Sequence, residues 1–172
     1  MEEAKNLILA FKDNRDYKKF AQIAAETPQM IDGLIELCYT VTYPFPQYSS
    51  WILAHVADNH FDILKNYHTR IIDAFLDCNE GSTQRNLGNV LQRFPKSEYR
   101  DGELLDKLFQ FLQDSDTKVA LKVYAMNLIF TFLKDFPELK GEFQTVIEAG
   151  LSKESAAYHS AARKILKNIS KI

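Results

Sequence analysis

Apolar residues recur about every 3.6 positions along almost the whole chain, the spacing that places them on one face of an α-helix. No segment combines apolar alternation with the turn chemistry that a strand needs. The pattern therefore predicts ten helices. The first two helices cover about residues 2–12 and 15–25, and the third begins at Pro28. After a loop at 42–46, the fourth helix runs to Asn59. The next four cover about 61–78, 83–94, 98–113 and 117–134, and the last two begin at Pro137 and at Ser152 or Ser155.

A small residue recurs at a similar point of every second predicted helix. Ala21, Ala54, Gly88, Ala125 and Ala162 lie 33, 34, 37 and 37 residues apart. A small side chain lets a neighbouring helix approach closely, and two helices per period of this length are typical of α-solenoids. The sequence thus predicts an all-α fold, an α-α superhelix of about five helical hairpins, and a single repeat domain over residues 1–172.

One segment shows the hairpin layout most clearly. LLDKLFQFLQDSDTKVALKVYAMNLI contains a helix, a short acidic turn and then Val119 leading a second helix. This order resembles the HEAT and armadillo type of repeat. Ala120 stands where the HEAT consensus usually has arginine, and the nearest base is Lys122.

The last third of the chain carries a closer resemblance. KVALKVYAMNLIFTFLKDFPELKGEF and SAAYHSAARKILKNI resemble a group of short HEAT-like proteins from Bacteroidetes, often labelled adenylosuccinate lyase. The resemblance covers about residues 115–170 and implies an all-helical solenoid without an established biochemical role. Adenylosuccinate lyases carry a Ser-rich loop with Met-Pro-Lys-Asn-Pro, whereas Ser49-Ser50 is followed here by Trp51 and Ile52. No catalytic residue is therefore assigned, and we expect the protein not to be an enzyme.

Composition and charge narrow the classes of partner. The formal net charge is -2, without the basic excess by which duplex-binding domains neutralise phosphates. No apolar run approaches the roughly 20 residues that a membrane span needs, so we expect a cytoplasmic protein. Cys38 and Cys78 form neither a CxxC motif nor a bridge framework, and they are interpreted as buried hydrophobes.

The repeat register predicts which polar side chains share a face. In HEAT-like solenoids the second helix of each hairpin lines the concave side. One column of these helices holds Lys18, Trp51, Arg85, Lys122 and His159, and the next, one turn later, includes His55, Asn89 and Arg163. Together they form a candidate binding strip, mildly basic and bearing one tryptophan, for an acidic peptide or nucleic acid. The alternative is ordinary solvated side chains.

The segment from Tyr43 to Trp51 is the most unusual stretch. It holds the candidate aromatic patch of Tyr43, Phe45 and Tyr48, and it contains the only tryptophan of the chain. Tyr48, Trp51 and His55 are expected one turn apart on one helix face. The patch is interpreted either as an aromatic binding surface or as a bulky plug over the junction of the first two repeats.

The remaining chemistry points away from a metal site or cofactor. The four histidines form no HEXXH motif, and no pair stands four residues apart. We expect neither metal nor cofactor.

The leading hypothesis is a non-catalytic scaffold that recognises a protein or peptide on its concave face. The alternatives are a nucleic-acid-binding protein related to the HEAT-like DNA alkylation glycosylases, using Trp51, Asp58 and Arg85, and an accessory to a purine-pathway lyase.

Overall fold

The computed structural model describes residues 1–171, and within them it contains eleven α-helices, one short 3-10 helix and no strand. The all-α prediction is therefore confirmed. The helices are α1 (Glu2–Asp13), α2 (Tyr17–Ala25), α3 (Pro28–Cys38), α4 (Phe45–Asn59), α5 (Phe61–Leu64), α6 (His68–Asp77), α7 (Gly81–Leu91), α8 (Asp101–Gln113), α9 (Val119–Phe132), α10 (Leu139–Gly150) and α11 (Ala156–Ile169).

Side chains that accept backbone hydrogen bonds fix several helix starts. Thr27 Oγ1 accepts the Met30 N–H at 3.3 Å, with Pro28 at the first helical position, as the sequence predicts. Glu80 caps α7 by accepting from the backbone N–H groups of Ser82 and Thr83, at 3.1 and 2.7 Å. The exposed N–H groups of a first helical turn need such acceptors, so these residues set where the helices begin.

Several helix boundaries differ from the sequence prediction by two or three residues, and one predicted helix is broken. The helix expected over 61–78 is interrupted by a 3-10 turn at Lys65–Tyr67. The sequence did not predict this break because apolar spacing continues across it. The helix expected over 117–134 covers Val119–Phe132, with Lys118 as its N-cap. In the acidic turn before it, the Asp114 carboxylate accepts from Asp116 N and Thr117 Oγ1.

The helices pair into five hairpins, and the column of small residues lies on their second members. Those members are α2, α4, α7, α9 and α11. All five small residues are buried, as expected for positions where helices approach closely. The two cysteines are free and buried, as predicted.

Two compact units divide the chain, Met1–Phe94 and Pro95–Ile172. In the first, α4 packs against α2, α3 and α7. In the second, α9 packs against both α8 and α11, as its apolar residues on nearly every side predict. The single-domain expectation for residues 1–172 stays a prediction.

Candidate functional site

Three side chains from the first and second hairpins form a stacked group in the amino-terminal unit. The ring of Tyr17 on α2 stacks on His55 of α4, with centroids 4.5 Å apart. Trp51, one turn before His55, lies 6.1 Å from the imidazole and packs edge-on against Phe11 at 5.6 Å. We call Tyr17, Trp51 and His55 the histidine–aromatic cluster. Phe11 is fully buried, so the cluster packs against the core of this unit.

Polar groups beside the cluster hold His55 in place. Its Nδ1 lies 3.5 Å from Asp58 Oδ2, and the other Asp58 oxygen pairs with Arg93, which follows α7. Burial lowers the pKa of His55, while the Asp58 carboxylate acts in the opposite direction. The imidazole is therefore neutral near pH 7. Its Nε2 is enclosed and has no hydrogen-bond partner among residues 1–171.

The aromatic patch divides into an exposed and a buried part. Tyr48 is buried and packs 5.5 Å from Phe11, as a plug would. Tyr43 is 59% exposed, and its hydroxyl lies 3.2 Å from that of Tyr48. Arg15 donates to the Tyr48 hydroxyl at 3.0 Å. Phe45 is half-buried at the start of α4. Tyr48 also lies 6.2 Å from Trp51, which connects the patch to the histidine–aromatic cluster.

The other strip residues of this unit are polar and accessible. Lys18 is exposed on α2, Arg85 is exposed on α7, and Asn89 is half-buried one turn further along. The neighbouring Asn86 donates to Ser50 Oγ at 3.1 Å and so links α7 to α4. Their role in binding stays a prediction.

The strip residues of the carboxy-terminal unit are placed differently. Lys122 is only 2% exposed and its ammonium pairs with Glu154, so it lies neither on an open binding strip nor among solvated side chains, the two readings of the sequence. The reason is that α9 is covered by both α8 and α11. His159 is half-buried with Nε2 enclosed, and exposed Arg163 donates to its carbonyl at 3.3 Å.

The sequence did not predict the residues that contact His55, Asp58 and Lys122 across the helix pairs. Tyr17, Arg93 and Glu154 lie far along the chain from His55, Asp58 and Lys122. No motif signals such pairs, because they depend on which helices pack together. Helical register gave one hint: Tyr17 stands directly before Lys18, which belongs to the predicted column, so it could have been expected near that face of α2.

In the part of the chain that the structure describes, no group of three or more His, Cys, Asp or Glu side chains is arranged to hold a metal ion. Over that part, no helix has the length and apolar character needed to span a membrane.

Comparisons with known proteins give one family. A model of the HEAT repeat domain matches residues 6–169, nearly the whole chain. No curated protein and no solved structure matches it. The fold class predicted from the repeat, an all-α arrangement of HEAT-like hairpins, is therefore confirmed, and the chain belongs to the HEAT repeat domain family.

Proposed function

We propose that this protein is a non-catalytic scaffold that binds an acidic peptide segment of another protein at the histidine–aromatic cluster. HEAT hairpins offer extended helical surfaces for partners rather than built-in chemistry. The observation that carries the proposal is the stack of Tyr17 on His55. It joins two hairpins and leaves Tyr17 45% exposed beside the half-buried Trp51.

The composition of this surface fits a peptide partner. Interface hot spots are enriched in tryptophan, tyrosine and arginine that are packed on one side and open on the other. Packing against Phe11 and the link from Asp58 to Arg93 fix the cluster before a partner arrives, which reduces the entropy lost on binding.

The charged side chains beside the histidine–aromatic cluster favour an acidic segment of the partner. Lys18 and Arg85 are exposed on the flanking helices α2 and α7, whereas the Asp58 carboxylate is already paired with Arg93. The accessible ammonium and guanidinium groups therefore outnumber accessible carboxylates among these residues. Carboxylates on a partner would gain charge-assisted hydrogen bonds there.

A displayed peptide library tests the proposal. Peptides selected on the wild-type protein should be acidic and should bind Tyr17→Ala about tenfold or more weakly, as expected for a hot-spot residue. Tyr39→Ala is the matched control, because Tyr39 is similarly exposed (40%) but lies at the end of α3. Equal loss in both variants, or none in Tyr17→Ala, would refute the proposed site.

Titration with duplex DNA distinguishes a peptide partner from a nucleic-acid partner. Duplex DNA should not bind at low salt, because the net charge is -2. Tight binding with a steep salt dependence would replace the peptide by nucleic acid as the partner.

A further inference from the structure

A second candidate site lies in the carboxy-terminal unit and uses none of the residues of the proposed peptide surface. A cavity of about 390 Å³ opens between the end of α8 and helix α10. Leu112, Val146 and Ala149 form its apolar wall. Lys122 and Glu154 also line it, and Lys153 adds a second ammonium. The volume falls within the ~300–1,000 Å³ typical of small-molecule sites.

The charged pair in this cavity is unusual for its burial. Lys122 is 2% exposed, the Glu154 side chain is 19% exposed, and the two groups are in direct contact. Removing both charges from water is costly, so a buried ion pair is a weak stabiliser compared with apolar packing. An apolar pair would join α9 to the α10–α11 turn at lower cost. The presence of charge here therefore calls for a further explanation.

The pair also has unused hydrogen-bonding capacity. The Lys122 ammonium carries three donors, yet Glu154 Oε1 is its one hydrogen-bond acceptor among residues 1–171. Glu154 Oε2 accepts no hydrogen bond from those residues. Both groups line the cavity, so a ligand there can approach the ammonium and the carboxylate together.

Three charged side chains line the cavity, the ammonium groups of Lys122 and Lys153 and the carboxylate of Glu154. Asp114 lies outside the lining, although the charge of Lys122 contributes to lowering its pKa. Both Asp114 oxygens are already occupied, by Asp116 N at 3.0 Å and by Thr117 Oγ1 at 2.7 Å. Lys153 is exposed to solvent, so the shielded charges of the cavity are those of Lys122 and Glu154, one of each sign, which fits a ligand that carries both charges.

We propose that this cavity binds a small zwitterion with an aliphatic tail, of the class of the aliphatic α-amino acids. The ligand carboxylate lies beside the Lys122 ammonium, and the ligand ammonium lies beside the Glu154 carboxylate. The two opposed ion pairs form a closed ring of four groups, and the protein's own pair stays intact. The tail lies against Leu112, Val146 and Ala149.

Three probes of matched length separate the contributions of the ligand carboxylate and the ligand ammonium to binding. Norleucine carries both charges, hexanoate carries only the carboxylate, and pentylamine carries only the ammonium. Each is titrated into the ¹⁵N-labelled full chain, and the amide signals of Ala149 and Gly150 are followed by NMR. Norleucine should bind with a Kd on the order of 1 mM or below, and each single-charge probe about tenfold or more weakly. Equal binding of the three probes, or no saturable shift with norleucine, would overturn the zwitterion site.

Variants connect the binding to the cavity. Lys122→Met combined with Glu154→Gln removes both charges at nearly constant volume and should abolish norleucine binding. Asp62→Asn with Lys65→Met removes a comparable but exposed ion pair and should leave it unchanged. If the first double variant fails to fold, Ala149→Phe puts a large side chain in the cavity lining and keeps the charges. Norleucine binding that survives Ala149→Phe would contradict the proposed location.

Discussion

Replacing Gly150 with alanine should destabilise the carboxy-terminal unit, although alanine is the better helix former. Gly150 is the last residue of α10, and the Tyr158 side chain of α11 lies directly over its Cα. A Cβ at Gly150 would stand 2.5 Å from Tyr158 Cζ and 2.9 Å from Cε1. Real Cβ atoms do not approach other atoms so closely, so Tyr158 must move.

The cost follows from where Tyr158 is anchored. It is fully buried, and its hydroxyl donates to the Ile147 carbonyl at 3.1 Å. Overpacking a core costs about 1–3 kcal/mol, and losing a buried hydrogen bond costs about 1–3 kcal/mol more. The helix propensity of alanine returns at most about 1 kcal/mol. The net expected loss in the free energy of unfolding is therefore about 1–5 kcal/mol.

Urea and thermal unfolding followed by circular dichroism measure this loss. For a chain of this length the melting temperature should fall by roughly 2–20 °C. Gly141→Ala is the matched control on the same helix, because nothing lies within 4 Å of its Cβ position. That variant should gain about 0.5–1 kcal/mol.

A double-mutant cycle with Tyr158→Phe examines the contact itself. Phenylalanine lacks the hydroxyl oxygen, the atom closest to the new Cβ. Gly150→Ala should therefore cost less in the Tyr158→Phe background than in the wild type. Equal stability of the Gly150→Ala and Gly141→Ala variants would refute the packing argument.

Three further outcomes are expected. Gly33→Ala should lower the free energy of unfolding by about 1–3 kcal/mol in urea, because its Cβ would lie 2.8 Å from that of Ala4; a neutral effect would show that α1 can shift. Glu80→Gln should cost about 1 kcal/mol through a weaker cap on α7, again by urea unfolding, and a more stable variant would contradict that role. Burial lowers the pKa of His68, which stacks on Phe94 at 4.2 Å, so the unfolded chain protonates first and stability should decline as pH falls below about 6.5. His68→Phe should flatten this decline in melting temperatures measured from pH 8 to pH 5, and an unchanged slope would assign it to other groups.

The sequence alone predicted the helical class, the five hairpins and the buried column of small residues. The reason is that these features depend on local spacing. Apolar residues every 3.6 positions define a helix face, and a small residue such as Ala54 or Gly88 marks where another helix must approach. The start of α3 at Thr27-Pro28 followed from capping chemistry, which is also local.

The structure was needed for the 3-10 break at Lys65–Tyr67 and for the partners of each polar side chain. Helical register places Lys122 and Trp51 in one column, yet Lys122 is buried against Glu154 while Trp51 is half-exposed beside Tyr17 and His55. Register fixes the direction of a side chain on its own helix. It does not fix what lies opposite, which depends on how many neighbours cover that helix and on contacts between residues far apart in the chain. For that reason the sequence determined the elements and their faces, and only tertiary packing decided which faces became surface, cavity or core.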